Sequence, residues 1–171
     1  MIIMGIDQAF NHSSYAIFDD DKYITSKNYV AVGKEEKKTL TKAGEKLPDE
    51  EKYKRFYNFL QTGIDKHNPD LVICEAAYCG PNKRVFGLIS QLIGMIRSIS
   101  FISGREFHVV PPATYRSKLG LKNNKLICYE YVSKEYPDVE IDKEYDIADA
   151  ILLAKYASQE LILENKLNVE A

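Results

Sequence analysis

Two apolar runs far apart in the chain each stop on an acid: Ile2-Ile3-Met4-Gly5-Ile6 ends at Asp7, and Leu71-Val72-Ile73-Cys74 ends at Glu75. Short runs of this kind, bounded by polar and turn residues, read as buried β-strands. If the two are neighbours in a parallel sheet, both carboxylates emerge side by side at one edge, where open α/β sheets place their ligands. A lone carboxylate at the rim of a core is costly to desolvate, and a cation is the usual remedy.

The rest of the pattern supplies the sheet and its cover. Ser14 to Phe18 and Tyr23 to Val32 read as two further strands around the turn Asp19-Asp20-Asp21, an antiparallel meander with the first run. Gly33 to Lys46 is rich in Lys, Glu and Thr with little periodicity and reads as a mobile connection, either simply solvated or with lysines that touch DNA. After the acidic start Pro48-Asp49-Glu50-Glu51, the residues Tyr53, Phe56, Tyr57, Leu60 and Ile64 recur at helical spacing as far as Asn68-Pro69. Gly80-Pro81-Asn82 opens a second helix running to about Ile102, and Phe107 to Val110 is a strand closed by Pro111-Pro112. Helices over Asn123 to Tyr136 and Asp146 to about Leu163 complete an α/β order: a five-stranded mixed sheet flanked by helices, in which the later strands run parallel to the first.

At 171 residues and 45% hydrophobic content the chain suits one domain, 1–171, with a real core. No window approaches 18 consecutive apolar residues and the start is too short and uncharged for a signal peptide, so a cytoplasmic protein with no membrane partner is expected. Cys74, Cys79 and Cys128 are odd in number and lack paired ligand spacing, which points to buried thiols and away from disulfides or zinc. His12, His67 and His108 are scattered and receive no role. A net charge of −2 argues poorly for a polyanion partner, but its distribution matters more. Lys83 to Lys125 holds eight basic residues against the single acid Glu106, whereas Leu126 to Ala171 holds four against eleven acids.

Asp146 and Asp149 form a second acidic pair, i and i+3 on one face at the start of a strongly apolar helix. Two readings stay open: acids that merely favour a helix N-terminus through its dipole, or ligands converging with Asp7 and Glu75. Hard oxygen donors suit Mg2+ or Mn2+, and two such ions about 4 Å apart can activate a water and stabilise the leaving oxygen of a phosphodiester.

Taken together, these segments resemble the RuvC family of Holliday junction resolvases over nearly the whole chain. Met4-Gly5-Ile6-Asp7 is similar to that family's opening strand and Val72-Ile73-Cys74-Glu75 to its second acidic strand. Tyr78 falls three residues after Glu75, where the family carries an aromatic wedge. Asn82, then Gln91 and Gly94, resemble its Asn and Gln-x-x-Gly signature, and Asp146-Ile147-Ala148-Asp149-Ala150 its terminal acidic element.

The resemblance implies a ribonuclease H-like sheet and a Mg2+-dependent endodeoxyribonuclease using two ions per site, with Mn2+ able to substitute and no nucleotide cofactor. It further implies a homodimer cutting two strands of a four-way junction symmetrically. Asp7, Glu75, Asp146 and Asp149 would hold the metals, with Lys118 and Lys125 near the family's catalytic lysines. The sequence departs from the family in having Gln8-Ala9 where Pro-Gly is usual, Tyr for Phe at the wedge, and a longer Gly33 to Lys46 connection. Those departures fit a divergent member from a bacterial cell or a phage-infected host, with a role in DNA recombination and repair.

The helix from Pro81 to Ile102 carries more apolar residues than one stripe needs, and Gly87, Ser90, Gly94 and Ser98 would admit a second helix closely. Either a two-fold partner covers the excess or the helix is buried within one subunit. On DNA, Asn82, Lys83, Arg84, Arg97, Arg116, Lys118, Lys122 and Lys125 are expected to form the contact surface, the cations holding phosphates without reading bases. Tyr78 either stacks on an unpaired base at the crossover or sits in the core. The rival readings are a junction-binding protein without cleavage and a ribonuclease H-type nuclease acting on other nucleic acids. An actin-like ATPase would need a second phosphate-binding half that this length cannot hold.

Overall fold

The computed structural model describes residues 1–141 and 146–161. Its sheet has the order β3-β2-β1-β4-β5, built from β1 (Ile2–Asp7), β2 (His12–Asp19), β3 (Lys22–Val30), β4 (Leu71–Glu75) and β5 (Glu106–Val110). β1 pairs antiparallel with β2 and parallel with β4, while β4 pairs parallel with β5. This is the mixed sheet expected from the strand pattern.

Side chains alternate between the two faces of a strand, and the two cores obey that period. Met4, Ile6, Val72 and Cys74 meet Phe56, Leu60 and Ile64 of α2 (Asp49–His67) and Leu92, Ile96 and Ile99 of α3 (Lys83–Ile102). Ile3, Leu71 and Ile73 meet α5 (Lys125–Glu135) and α6 (Asp146–Tyr156) on the other face. Asp7 and Glu75 share the parity of Ile3 and Ile73, so they belong to the α6 face. The closing segment of the Asp146 helix takes a π form over Ala157–Leu161, and residues 162 and 163 of the expected helix lie outside the described residues.

Gly5 sets how closely α6 can lie on β1. A Cβ there would stand 2.4 Å from the Ala150 carbonyl oxygen and 2.6 Å from the Ala154 amide nitrogen. Glycine and the run of alanines on α6 therefore bring the helix backbone itself onto the strand.

Three expectations need correction. The 33–46 connection is not simply loop: α1 (Lys34–Ala43) forms there, with Glu35 and Glu36 in its first turn and Gly44 ending it in the left-handed conformation. It buries none of its residues, so no apolar period could have announced it. A short α4 (Pro112–Lys118) follows the Pro111 start, where only a strand end was expected. Cys74 and Cys128 are buried, but Cys79 is exposed in the β4–α3 connection.

Candidate active site

Register brings the first two acids together. Ile6 of β1 is opposite Cys74 of β4, so the next residues, Asp7 and Glu75, leave adjacent strands at the same edge. Gln8 fastens that edge by donating from Nε2 to the Glu75 carbonyl at 2.7 Å. The closely seated α6 supplies Asp146 and Asp149, 6% and 1% exposed.

Asp149 is the best-held of the four. Arg116 Nη2 donates to its Oδ1 at 2.7 Å, and the Tyr115 hydroxyl lies 3.1 Å from that same oxygen and 3.1 Å from Glu75 Oε2. With one proton, the phenol serves one carboxylate or the other and ties β4 to α6 either way. Lys125 Nζ stands 3.7 Å from Asp149 Oδ2.

Electrostatics carry the imprint of this crowding. Burial pushes the Asp7 carboxyl well above its ordinary value, reinforced by Asp149, Glu75 and Asp146 and opposed by Lys125. Glu75 is raised by burial and Asp149, with Arg116, Tyr115 and Lys125 pulling the other way. Burial works against the Lys125 ammonium, but Asp7, Asp149, Asp146 and Glu75 outweigh it and raise its pKa. Burial and the neighbouring Asp149 and Glu75 lift the Tyr115 phenol far above its usual range.

The four acids thus bear on one another, although among the described residues no group of three or more His, Cys, Asp or Glu side chains is gathered closely enough to hold a metal ion. Their chemistry fits one nonetheless: a set of hard oxygen donors in which Asp7, buried beside other acids, holds its proton tightly.

The expected DNA-contacting residues separate into groups. Tyr78 is 84% exposed in the connection after β4, which removes the core alternative. Lys83, Arg84, Arg97, Lys122 and Lys125 are exposed, with Arg84 3.5 Å from Asp49. Asn82 caps α3 by accepting from the Val85 amide. Lys118 points its ammonium at Glu160, 2.9 Å away, whereas Lys125 reaches the acids. Arg116 is the correction: it is buried, bonded to Asp149 and to Asn123 Oδ1 at 2.5 Å, and offers no open cationic surface. Tyr115 was missed, because nothing in the local sequence distinguishes a site tyrosine from a core one.

No family model matches the sequence. The crossover junction endodeoxyribonuclease RuvC of Chlamydia caviae is 29% identical over 163 residues, spanning 90% of this chain and 89% of that protein. The RuvC of T. thermophilus in complex with a Holliday junction substrate superposes with a TM-score of 0.75 at 14% identity, over 95% of this chain and 96% of its own. In sequence and in fold the chain is similar to RuvC resolvases. Its fold is the ribonuclease H-like fold of those proteins. The fowlpox virus resolvase, solved with Holliday junction DNA, has the same fold at a TM-score of 0.52 and 18% identity, over 95% of this chain and 99% of its own.

Proposed function

We propose that this chain is a metal-dependent endonuclease of the RuvC type, a single nuclease domain that resolves four-way DNA junctions as a homodimer by paired, symmetric incisions. What supports the reading is that Asp7 and Glu75 end adjacent parallel strands, that Asp146 and Asp149 stand on the helix packed over β1, and that Arg116 and Lys125 reach Asp149. Asp7, Glu75, Asp146 and Asp149 would hold Mg2+ or Mn2+, which supplies Lewis acidity and an activated water at a phosphodiester. Lys125, half in and half out of the site, is placed to neutralise charge developing on the scissile phosphate.

The α3 surface supports the dimer. Val85, Phe101 and Ile102 are 50%, 63% and 87% exposed, so α3 is not buried within one subunit. A Cβ at Gly87 or Gly94 would meet nothing within 4 Å. Each glycine costs a helix about 1 kcal/mol relative to alanine, and no packing among the described residues offsets it. By length and composition α3 could also cross a membrane, but Leu92, Ile96 and Ile99 are committed to the core. A two-fold partner laid on the glycine stripe would set two acid clusters against two equivalent strands of the junction. Lys83, Arg84, Lys118 and Lys122 would hold phosphates, and Asn82 would lie beside them at the start of α3.

The test is cleavage of end-labelled four-way junction in magnesium by wild type and Asp7→Asn. Wild type is expected to release symmetric nicked products, and Asp7→Asn to bind as tightly without cutting. Binding without cutting by wild type would leave a junction-binding protein, and cleavage of the RNA in a hybrid instead would leave a ribonuclease H-type enzyme. Loss of binding together with cutting in Asp7→Asn would make Asp7 structural.

A further inference from the structure

β1, β3, β4 and β5 all run in one direction, so their carboxyl ends share an edge of the sheet. Asp7 and Glu75 occupy two of those ends, and α1 departs from a third, that of β3. Residues 8–11 bridge the two places. Gln8 is bonded to the Glu75 carbonyl at 2.7 Å, and Asn11 lines a cleft of about 540 Å3 between α1, its following turn and the start of α2.

The cleft presents Lys37, Lys46, Lys52 and His12 against a single acid, Glu45. Its floor, which includes Val30 and Leu40, is apolar, and low-dielectric walls of this kind concentrate the field of the cations above them. α1 adds nothing to the core, yet it is firmly held. Arg55 bonds Glu36 through two nitrogens at 2.7 and 2.8 Å, Glu51 at 3.0 Å and the Ala31 carbonyl at 2.9 Å. The two acids of α1 are engaged by these contacts, Glu36 with Arg55 and Glu35 with Lys38 at 2.6 Å. A helix that buries nothing, is tied to α2 by two Arg55–Glu36 bonds and turns Lys37 toward a cleft is arranged for a partner outside the chain, and the charge of the cleft calls for an anionic one.

We propose that this cleft binds the phosphate backbone of one duplex arm of the branched DNA, alongside the acid cluster on the β3 side. The inference rests on the nuclease reading and adds a second contact site to it. β3 lies two strand spacings from β1, about 10 Å, close to three base pairs of duplex. An arm leaving the scissile strand therefore passes the cleft within its first turn. The lysines hold phosphates there without reading sequence.

The test is equilibrium binding of wild-type and variant protein to a labelled four-way junction in EDTA across a salt series. Lys37→Glu combined with Lys46→Glu is expected to weaken binding about tenfold and to flatten the salt dependence by about two phosphate contacts. Glu45→Lys is expected to tighten it. Lys22→Glu, at the opposite end of β3, is expected to change neither, and unaltered thermal melting of each variant excludes misfolding. Wild-type affinity and salt slope in both cleft variants, with wild type itself binding the junction, would overturn the proposal. A loss equal to that caused by Lys22→Glu would overturn it too, by reducing the effect to overall charge. Failure of wild type to bind any branched DNA would instead remove the nuclease reading beneath it.

Discussion

Arg116 holds Asp149 in an ion pair 2.7 Å long whose side chains are only 7% and 2% exposed. Removing one partner of such a pair strands the other charge away from water, which costs about 3–5 kcal/mol. Arg116→Met is therefore expected to lower unfolding free energy by that amount in urea titrations, with Asp149→Asn in the same chain restoring part of it. Arg116→Lys should rescue little, because an ammonium cannot reach Asp149 and Asn123 with the same planar fork. Equal stability of Arg116→Met and wild type would mean the pair holds nothing.

The contact between Gly5 and α6 gives a second expectation. Alanine at position 5 would drive its methyl into the Ala150 carbonyl, with no flexible side chain to yield. Gly5→Ala should cost at least about 2 kcal/mol by overpacking and move Asp149, next to Ala150, away from Asp7. Metal-dependent cleavage should fall further than the loss of folded protein explains, measured at a temperature where circular dichroism shows the variant still folded. Full activity would show that the site tolerates a displaced α6.

How much of this was legible beforehand follows from the range of the interactions. The strand parity of Asp7 and Glu75 is a local property of two short runs, and it carried both the sheet edge and the pairing of the acids. The face shared by Asp146 and Asp149 is likewise local. Arg116 was misplaced because its position in a basic block says only that it is charged, whereas its burial depends on Asp149, 33 residues away. Tyr115 joins Glu75 to Asp149 across three elements, and no spacing encodes that. α1 escaped because it is a helix held by Arg55 rather than by an apolar face.

The raised Asp7 and Glu75 carboxyls make a prediction about pH. Both bind a proton more tightly folded than unfolded, from ordinary values of 3.8 and 4.5. They favour the fold below the ordinary carboxylate range, and that contribution is lost as pH rises through their raised folded values. In EDTA, the melting temperature should therefore decline as pH increases from that range toward neutrality, by way of these two groups. Added Mg2+ should raise it, and by more at neutral than at acidic pH, because the ion binds the deprotonated cluster. The Asp7→Asn variant should show a flatter pH profile. A Mg2+ effect independent of pH, or one unchanged in Asp7→Asn, would separate ion binding from these acids.

Tyr78 is 84% exposed, three residues beyond Glu75, in the connection that leads to α3. An aromatic ring left in water at that place gains nothing for the fold, so truncating it should leave stability within about 0.5 kcal/mol. On a junction, a ring beside the scissile site can stack on a base unpaired at the crossover, worth about 1–3 kcal/mol. If the stack forms only when the crossover opens, the loss appears in the rate rather than in the affinity. Tyr78→Ala is then expected to slow single-turnover cleavage about tenfold or more while junction affinity shifts less than about threefold, and Tyr78→Phe to retain most of the rate because the stacking face survives. A junction built with an unpaired base at the crossover should restore much of the Tyr78→Ala rate. Equal cleavage by Tyr78→Ala and wild type on the fully paired junction would remove the ring from the reaction.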